Sequence, residues 1–129
     1  MLGYVMVGTN DLARATKFYD ATLEPLNLVQ VECLNIYTAY APKDARDDIE
    51  LYVTKPFDQK TATVGNGSMI ALKAPSMEAL IQFHLTGQKN GGTDEGSPGP
   101  REEGSDTQYA YVRDPDGNKV CAFYDKTES

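Results

Sequence analysis

The chain has 129 residues, of which 40% are hydrophobic and 24% charged, with a formal net charge of −7 and a pI near 4.6. That suits one globular domain with a real core and argues against nucleic acid or an anionic membrane as partner, because both reward Lys and Arg. No apolar run approaches the roughly 18 residues of a membrane span, and Met1-Leu2-Gly3-Tyr4 has neither a basic start nor a cleavage motif, so a cytoplasmic protein is expected.

Residues 3 to 8 alternate weakly and predict a strand. Asn10 or Asp11 caps a helix whose apolar positions are Leu12, Ala15, Tyr19 and Leu23, and Pro25 and Asn27 end it. Segments 28–33 and 35–41 are rich in Val, Ile, Tyr and Leu and read as strands. A charged turn, 42–48, leads to a further strand over 49–54. After a linker broken by Pro56, Gly65 and Gly67 comes a strand over 69–73. Ser76 then caps a helix with Met77, Leu80, Ile81 and His84 toward one side. Gly87 to Gly104 holds six glycines and two prolines and reads as a long loop that hides a poorly marked strand. Strands over 107–113 and 119–124 flank Asp114-Pro115-Asp116-Gly117, which has strong turn chemistry.

The two halves repeat. Tyr4 matches Met69, Asp11 matches Ser76 and Phe18 matches Phe83, at a constant offset of 65. Each half reads β-α-β-β-β, so an α+β fold of two tandem βαβββ modules is expected: module one over 1–57, a linker over 58–67 and module two over 68–125, all within a single domain.

Several residues invite a chemical role. His84, the only histidine, could serve as a base, but beside Phe83 on an amphipathic helix it reads rather as a packed or surface side chain. Cys33 and Cys121 lack zinc-site spacing, and a strand thiol such as Cys121 with no activating base nearby reads as inert. Arg101, after Pro98-Gly99-Pro100, suits an anion clamp or a solvated loop; Arg113 suits a structural pair with a carboxylate. Asp94, Glu95, Glu102 and Glu103 lack calcium-loop spacing. Eight tyrosines and no tryptophan are more distinctive. Tyr37, Tyr40, Tyr52, Tyr109 and Tyr111 fall on strands, where they suit either a flat ligand or ordinary strand composition.

Three segments carry a family likeness: Asp11-Leu12-Ala13-Arg14-Ala15-Thr16-Lys17-Phe18-Tyr19, Gly91 through Arg101, and Tyr111-Val112-Arg113-Asp114-Pro115-Asp116-Gly117-Asn118-Lys119-Val120. With the repeat, they resemble the vicinal oxygen chelate superfamily, the glyoxalase, bleomycin-resistance and extradiol-dioxygenase group. The resemblance implies paired modules whose curved mixed sheets form a cleft, usually completed by homodimerisation. It also implies a divalent metal held by residues of the first and last strand of each module. Carried over, those positions are Tyr4, Glu50, Met69 and Cys121. One carboxylate, a phenol, a thioether and a thiol suit no common catalytic metal. The expectation is therefore a metal-free protein, without a cofactor, that binds a small organic molecule through Tyr4, Glu50, Met69, Arg101, Tyr109, Tyr111 and Cys121. The alternatives are a metal-dependent lyase, isomerase or dioxygenase using Glu50 as base, and an accessory dimer with no ligand.

Overall fold

A computed structural model describes residues 1–128. The order of elements is β1 (Val5–Gly8), α1 (Leu12–Leu23), a 3-10 turn (Glu24–Leu26), β2 (Leu28–Cys33), β3 (Tyr37–Pro42), β4 (Leu51–Thr54), β5 (Ile70–Lys73), α2 (Met77–Lys89), β6 (Thr93–Gly99), β7 (Thr107–Arg113) and β8 (Lys119–Asp125), followed by a 3-10 turn (Lys126–Glu128). The fold is α+β, built as two βαβββ modules. Each module makes a four-stranded mixed sheet, ordered β1-β4-β3-β2 and β5-β8-β7-β6, with a parallel pair at its inner edge. Among the described residues, no helix is long and apolar enough to cross a membrane.

Both helices begin as the sequence predicts. The side chain of Asp11 accepts a hydrogen bond from the Arg14 amide at 3.0 Å, and that of Ser76 from the Ala79 amide at 3.1 Å, satisfying N–H groups the helix leaves free. Asn27, in the left-handed region at φ 62°, turns the chain from the 3-10 turn into β2. The helices lie against each other and cover one face of the sheets. Ala15, Phe18, Tyr19 and Leu23 of α1 and Ala79, Leu80 and Phe83 of α2 close one shared core with Tyr40, Leu51, Val53, Val112 and Val120. Burying each of the larger side chains contributes about 1.5–3 kcal/mol.

Three local expectations change. Gly87 to Gly104 holds less loop than expected: α2 runs on to Lys89, and the poorly marked strand takes up Thr93–Gly99 at the sheet edge. Glycine and proline hide it, and an edge position tolerates Pro98 because no ladder bond is needed on its outer side. Its register to β7 shifts twice, at Asp94/Gly96 and Gly96/Gly99. In α2, Ile81 faces outward at 38% exposure, while Phe83 takes the inward place beside Leu80. Tyr40 leaves the group of candidate ligand tyrosines; it is buried on the helix side and donates to Asp20 at 2.8 Å.

The Asp-Pro-Asp-Gly turn does more than reverse the chain. The Asp114 carboxylate accepts from the Asp116 and Asn118 amides at 2.9 and 2.8 Å and from the Tyr19 hydroxyl at 2.7 Å. Burial, with Asp114 alongside, holds the Tyr19 phenol well above its usual range, so it donates and stays neutral. The next carboxylate, Asp116, receives the Thr9 hydroxyl, the Asn10 amide at 2.9 Å and the Arg14 guanidinium at 3.1 Å. The turn thus clips module two to the first turn of α1.

Candidate functional site

Strand residues alternate between faces, so burial on the helix side fixes what the opposite face carries. Val5, Val7, Leu51 and Val53 pack into the core, leaving Tyr4, Met6, Tyr52 and Glu50 on the open face of module one. Ala110, Val112, Val120 and Ala122 do the same in module two, leaving Tyr109, Tyr111, Arg113, Lys119, Cys121 and Phe123 on its open face. The two faces meet along a seam between β1 and β5. A hollow of about 710 Å³ there is lined by Tyr4, Glu50, Tyr52 and Ala71, among others. A smaller one of about 210 Å³ includes Met6, Met69, Asn118 and Lys119.

Strand register gives a stricter comparison of the modules than the offset does. Val5 pairs with Leu51, and its repeat partner Ile70 pairs with Val120. Leu51 and Val120 are therefore equivalent. One residue later Tyr52 matches Cys121, and one residue earlier Glu50 matches Lys119. The counterpart of the module-two cysteine is a tyrosine, and the counterpart of the module-one carboxylate is a cation.

The seven candidate residues fall into two groups and one outlier. Tyr4 and Glu50 share the larger hollow, with the Tyr4 ring edge-on to Tyr52 at 4.9 Å and Tyr52 edge-on to Tyr37 at 5.2 Å. Arg101, Tyr109, Tyr111 and Cys121 gather on module two. The rings of Tyr109 and Tyr111 are nearly parallel, 8° apart in plane and 6.2 Å between centroids, and Phe123 lies 6.1 Å from Tyr109. Met69, 46% exposed, stands apart in the smaller hollow. Sequence reasoning named Tyr52 only among the strand tyrosines and passed over Lys119 and Phe123. Lys119 starts the strand predicted over 119–124, and only the sheet register reveals it on the open face.

The electrostatics of module two are specific. Burial pushes the Cys121 thiol up to about 11, although Tyr111, Lys119 and Arg101 each pull it down. The Tyr111 phenol is raised by burial and by Cys121, with Arg101 opposing. At neutral pH the thiol is protonated, a poor nucleophile and a poor metal ligand. The bland reading of His84 suits its surroundings: the ring is buried, bonded to Asp94 at 2.8 Å and to Gln88 at 3.2 Å. The hydrogen bond from His84 lowers the Asp94 carboxyl. Arg113 pairs with Glu95 at 3.0 Å.

Among the described residues, no three His, Cys, Asp or Glu side chains converge as a metal cluster. The four carried-over positions do not fit a divalent ion either. They offer an exposed phenol, an exposed carboxylate, a thioether in the other hollow and a buried, protonated thiol.

Comparison with known proteins places this scaffold. A glyoxalase/bleomycin resistance protein from Albidiferax ferrireducens T118 is 40% identical, with a TM-score of 0.84 over 96% of this chain and 98% of that one. The chain belongs to the glyoxalase/bleomycin resistance family. It thereby falls in the vicinal oxygen chelate superfamily. A glyoxalase I mutant from Zea mays matches the family member described here at 25% identity and a TM-score of 0.74, over 98% of this chain but 46% of that one. A glyoxalase-related enzyme from Fulvimarina pelagi, at 15% identity and a TM-score of 0.73 over 96% and 87% of the two chains, shares the fold. No protein-family model and no curated protein matches the sequence.

Proposed function

We propose that this family member binds a small organic molecule on the open faces of its sheets, without a metal or other cofactor, and does so as a cytoplasmic homodimer. The observation that carries this reading is the register equivalence of Glu50 with Lys119 and of Tyr52 with Cys121. A metal shared by symmetric modules needs oxygen or imidazole donors from both. Module two offers an ammonium and a buried thiol instead. The open faces keep tyrosines, half-exposed methionines and hollows of ligand size, the ordinary ingredients of a small-molecule site. The dimer is supported by exposed apolar side chains: Met6, Ile36 and Phe57 line a further hollow of about 900 Å³ on module one.

The test is a thermal-shift screen with planar metabolites and antibiotics, run before and after exhaustive chelation. Ligands that raise the melting temperature equally in both states support metal-free binding. Shifts that vanish on chelation and return with Mn²⁺, Ni²⁺ or Zn²⁺ overturn it, as does silence across a broad panel. Light scattering should give twice the chain mass, and a monomer would contradict the dimer.

A further inference from the structure

Resting on that binding reading, we infer that the ligand is a planar aromatic anion, its ring against Tyr109 and Tyr111 and its charge met by Arg101 and Lys119. The chain is acidic overall, at −7, yet the open face of module two gathers cations beside stacked rings. The ion pairs among the described residues are Arg14 with Asp116, His84 with Asp94 and Arg113 with Glu95. Arg101 and Lys119 take part in none of them.

Both cations converge on one ring. The Lys119 ammonium lies 5.1 Å from the centroid of Tyr111, and Arg101 bears on the same phenol from the segment after β6. Two like charges on one ring repel, and an anion between them relieves that repulsion while a cationic ligand adds to it. The Arg101 fork matches a carboxylate in two places. A Cβ on Gly96 would meet Tyr111 Cδ2 at 2.8 Å, so a glycine there lets the ring lie flat over β6. The Tyr109 and Tyr111 centroids are 6.2 Å apart, too close to sandwich a ring at about 3.5 Å from each. The ligand therefore lies on the two rings from the open side.

Isothermal titration with three probes of one shape reads the charge requirement: 2-naphthoate, 2-naphthamide and 2-naphthylmethylammonium. The anion should bind at least about tenfold more tightly than the amide, as a charge-assisted hydrogen bond provides, and the ammonium weakest. Arg101→Gln with Lys119→Gln should erase the order, and Arg101→Lys with Lys119→Arg should keep most of it, with circular dichroism confirming the fold of each. Equal binding of amide and naphthoate, or preference for the ammonium, overturns the anion assignment and leaves the binding reading standing. No binding of any probe also overturns the assignment, and the broader screen above then decides the binding reading separately. Tyr111→Leu should weaken naphthoate severalfold by removing the stacking surface; unchanged affinity would place the ligand elsewhere and overturn the assignment.

Discussion

At equivalent points of its two sheets the protein carries Glu50 and Tyr52 in module one, and Lys119 and Cys121 in module two. The helix-side residues at the same points are Leu51 and Val120, both buried. The inward pattern is kept because both modules close one core, while the open faces have diverged in charge and polarity. Module one presents an acid, exposed methionine and edge-on tyrosines. Module two presents Arg101 and Lys119, outside the ion pairs of the described residues, and a pair of nearly parallel tyrosines. Packing constrains one side of each sheet, so function has only the other side on which to vary.

The comparison breaks most severely where the modules interlock. Phe18 of α1 is fully buried and reaches module two, where a Cβ added at Gly92 would meet its Cε1 at 2.6 Å and the Arg113 carbonyl at 2.7 Å. Phe18→Ala should cost about 3–5 kcal/mol in urea unfolding. Gly92→Ala should cost about 1–3 kcal/mol, because backbone atoms on two sides cannot yield. Loss of less than about 1 kcal/mol from either would mean that the modules do not share a core. Next comes the clip. Asp116→Ala removes the acceptor of the Asn10 amide and the Arg14 guanidinium and leaves the Thr9 hydroxyl to the Asp11 carbonyl, and should cost about 1–3 kcal/mol. Paired with Thr9→Val, the losses should be less than additive, and simple additivity would deny the contact.

The two cysteines sharpen the contrast in chemistry. Cys33 is exposed and Cys121 buried, so a thiol reagent at pH 8 should label one of the two in the native protein and both after unfolding. Rapid native labelling of Cys121 would contradict its burial. Since burial raises the folded thiol from 9.0 to about 11, the folded state holds that proton more tightly than the unfolded one. The resulting stability is complete below pH 9 and fades as pH rises toward 11. Cys121→Ala should remove that part of the alkaline dependence, and an unchanged pH profile would count against it. The smallest effects are at the matched caps. Asp11→Ala and Ser76→Ala should each cost about 1 kcal/mol, and a large difference between them would show that the two helix starts are not equivalent.

Much of the scaffold was legible in the sequence because it rests on local rules. The offset of 65 survives in the strands, which begin at Val5 and Ile70, and in the helices, which begin at Leu12 and Met77. Edge strand β6 was legible only as a poorly marked strand without bounds, since its Gly-Ser-Pro-Gly composition mimics a loop and its pairing to β7 is irregular. The site was half legible. Arg101, Tyr109, Tyr111 and Cys121 were chosen from sequence and lie together. Lys119 was not chosen, because the equivalence of Glu50 and Lys119 follows from strand register, which a linear offset cannot supply. Modules separated by the same 65 residues at β1 and β5 have loops of different length before their last strands.

The sharpest single measurement is metal content. The purified protein, dialysed against Mn²⁺, Ni²⁺ and Zn²⁺ in turn and then against metal-free buffer, should retain no stoichiometric ion by elemental analysis. Retention of roughly one ion per chain, lost in Glu50→Gln, would contradict a scaffold that has given up its metal and show that donors from both modules still meet at the seam.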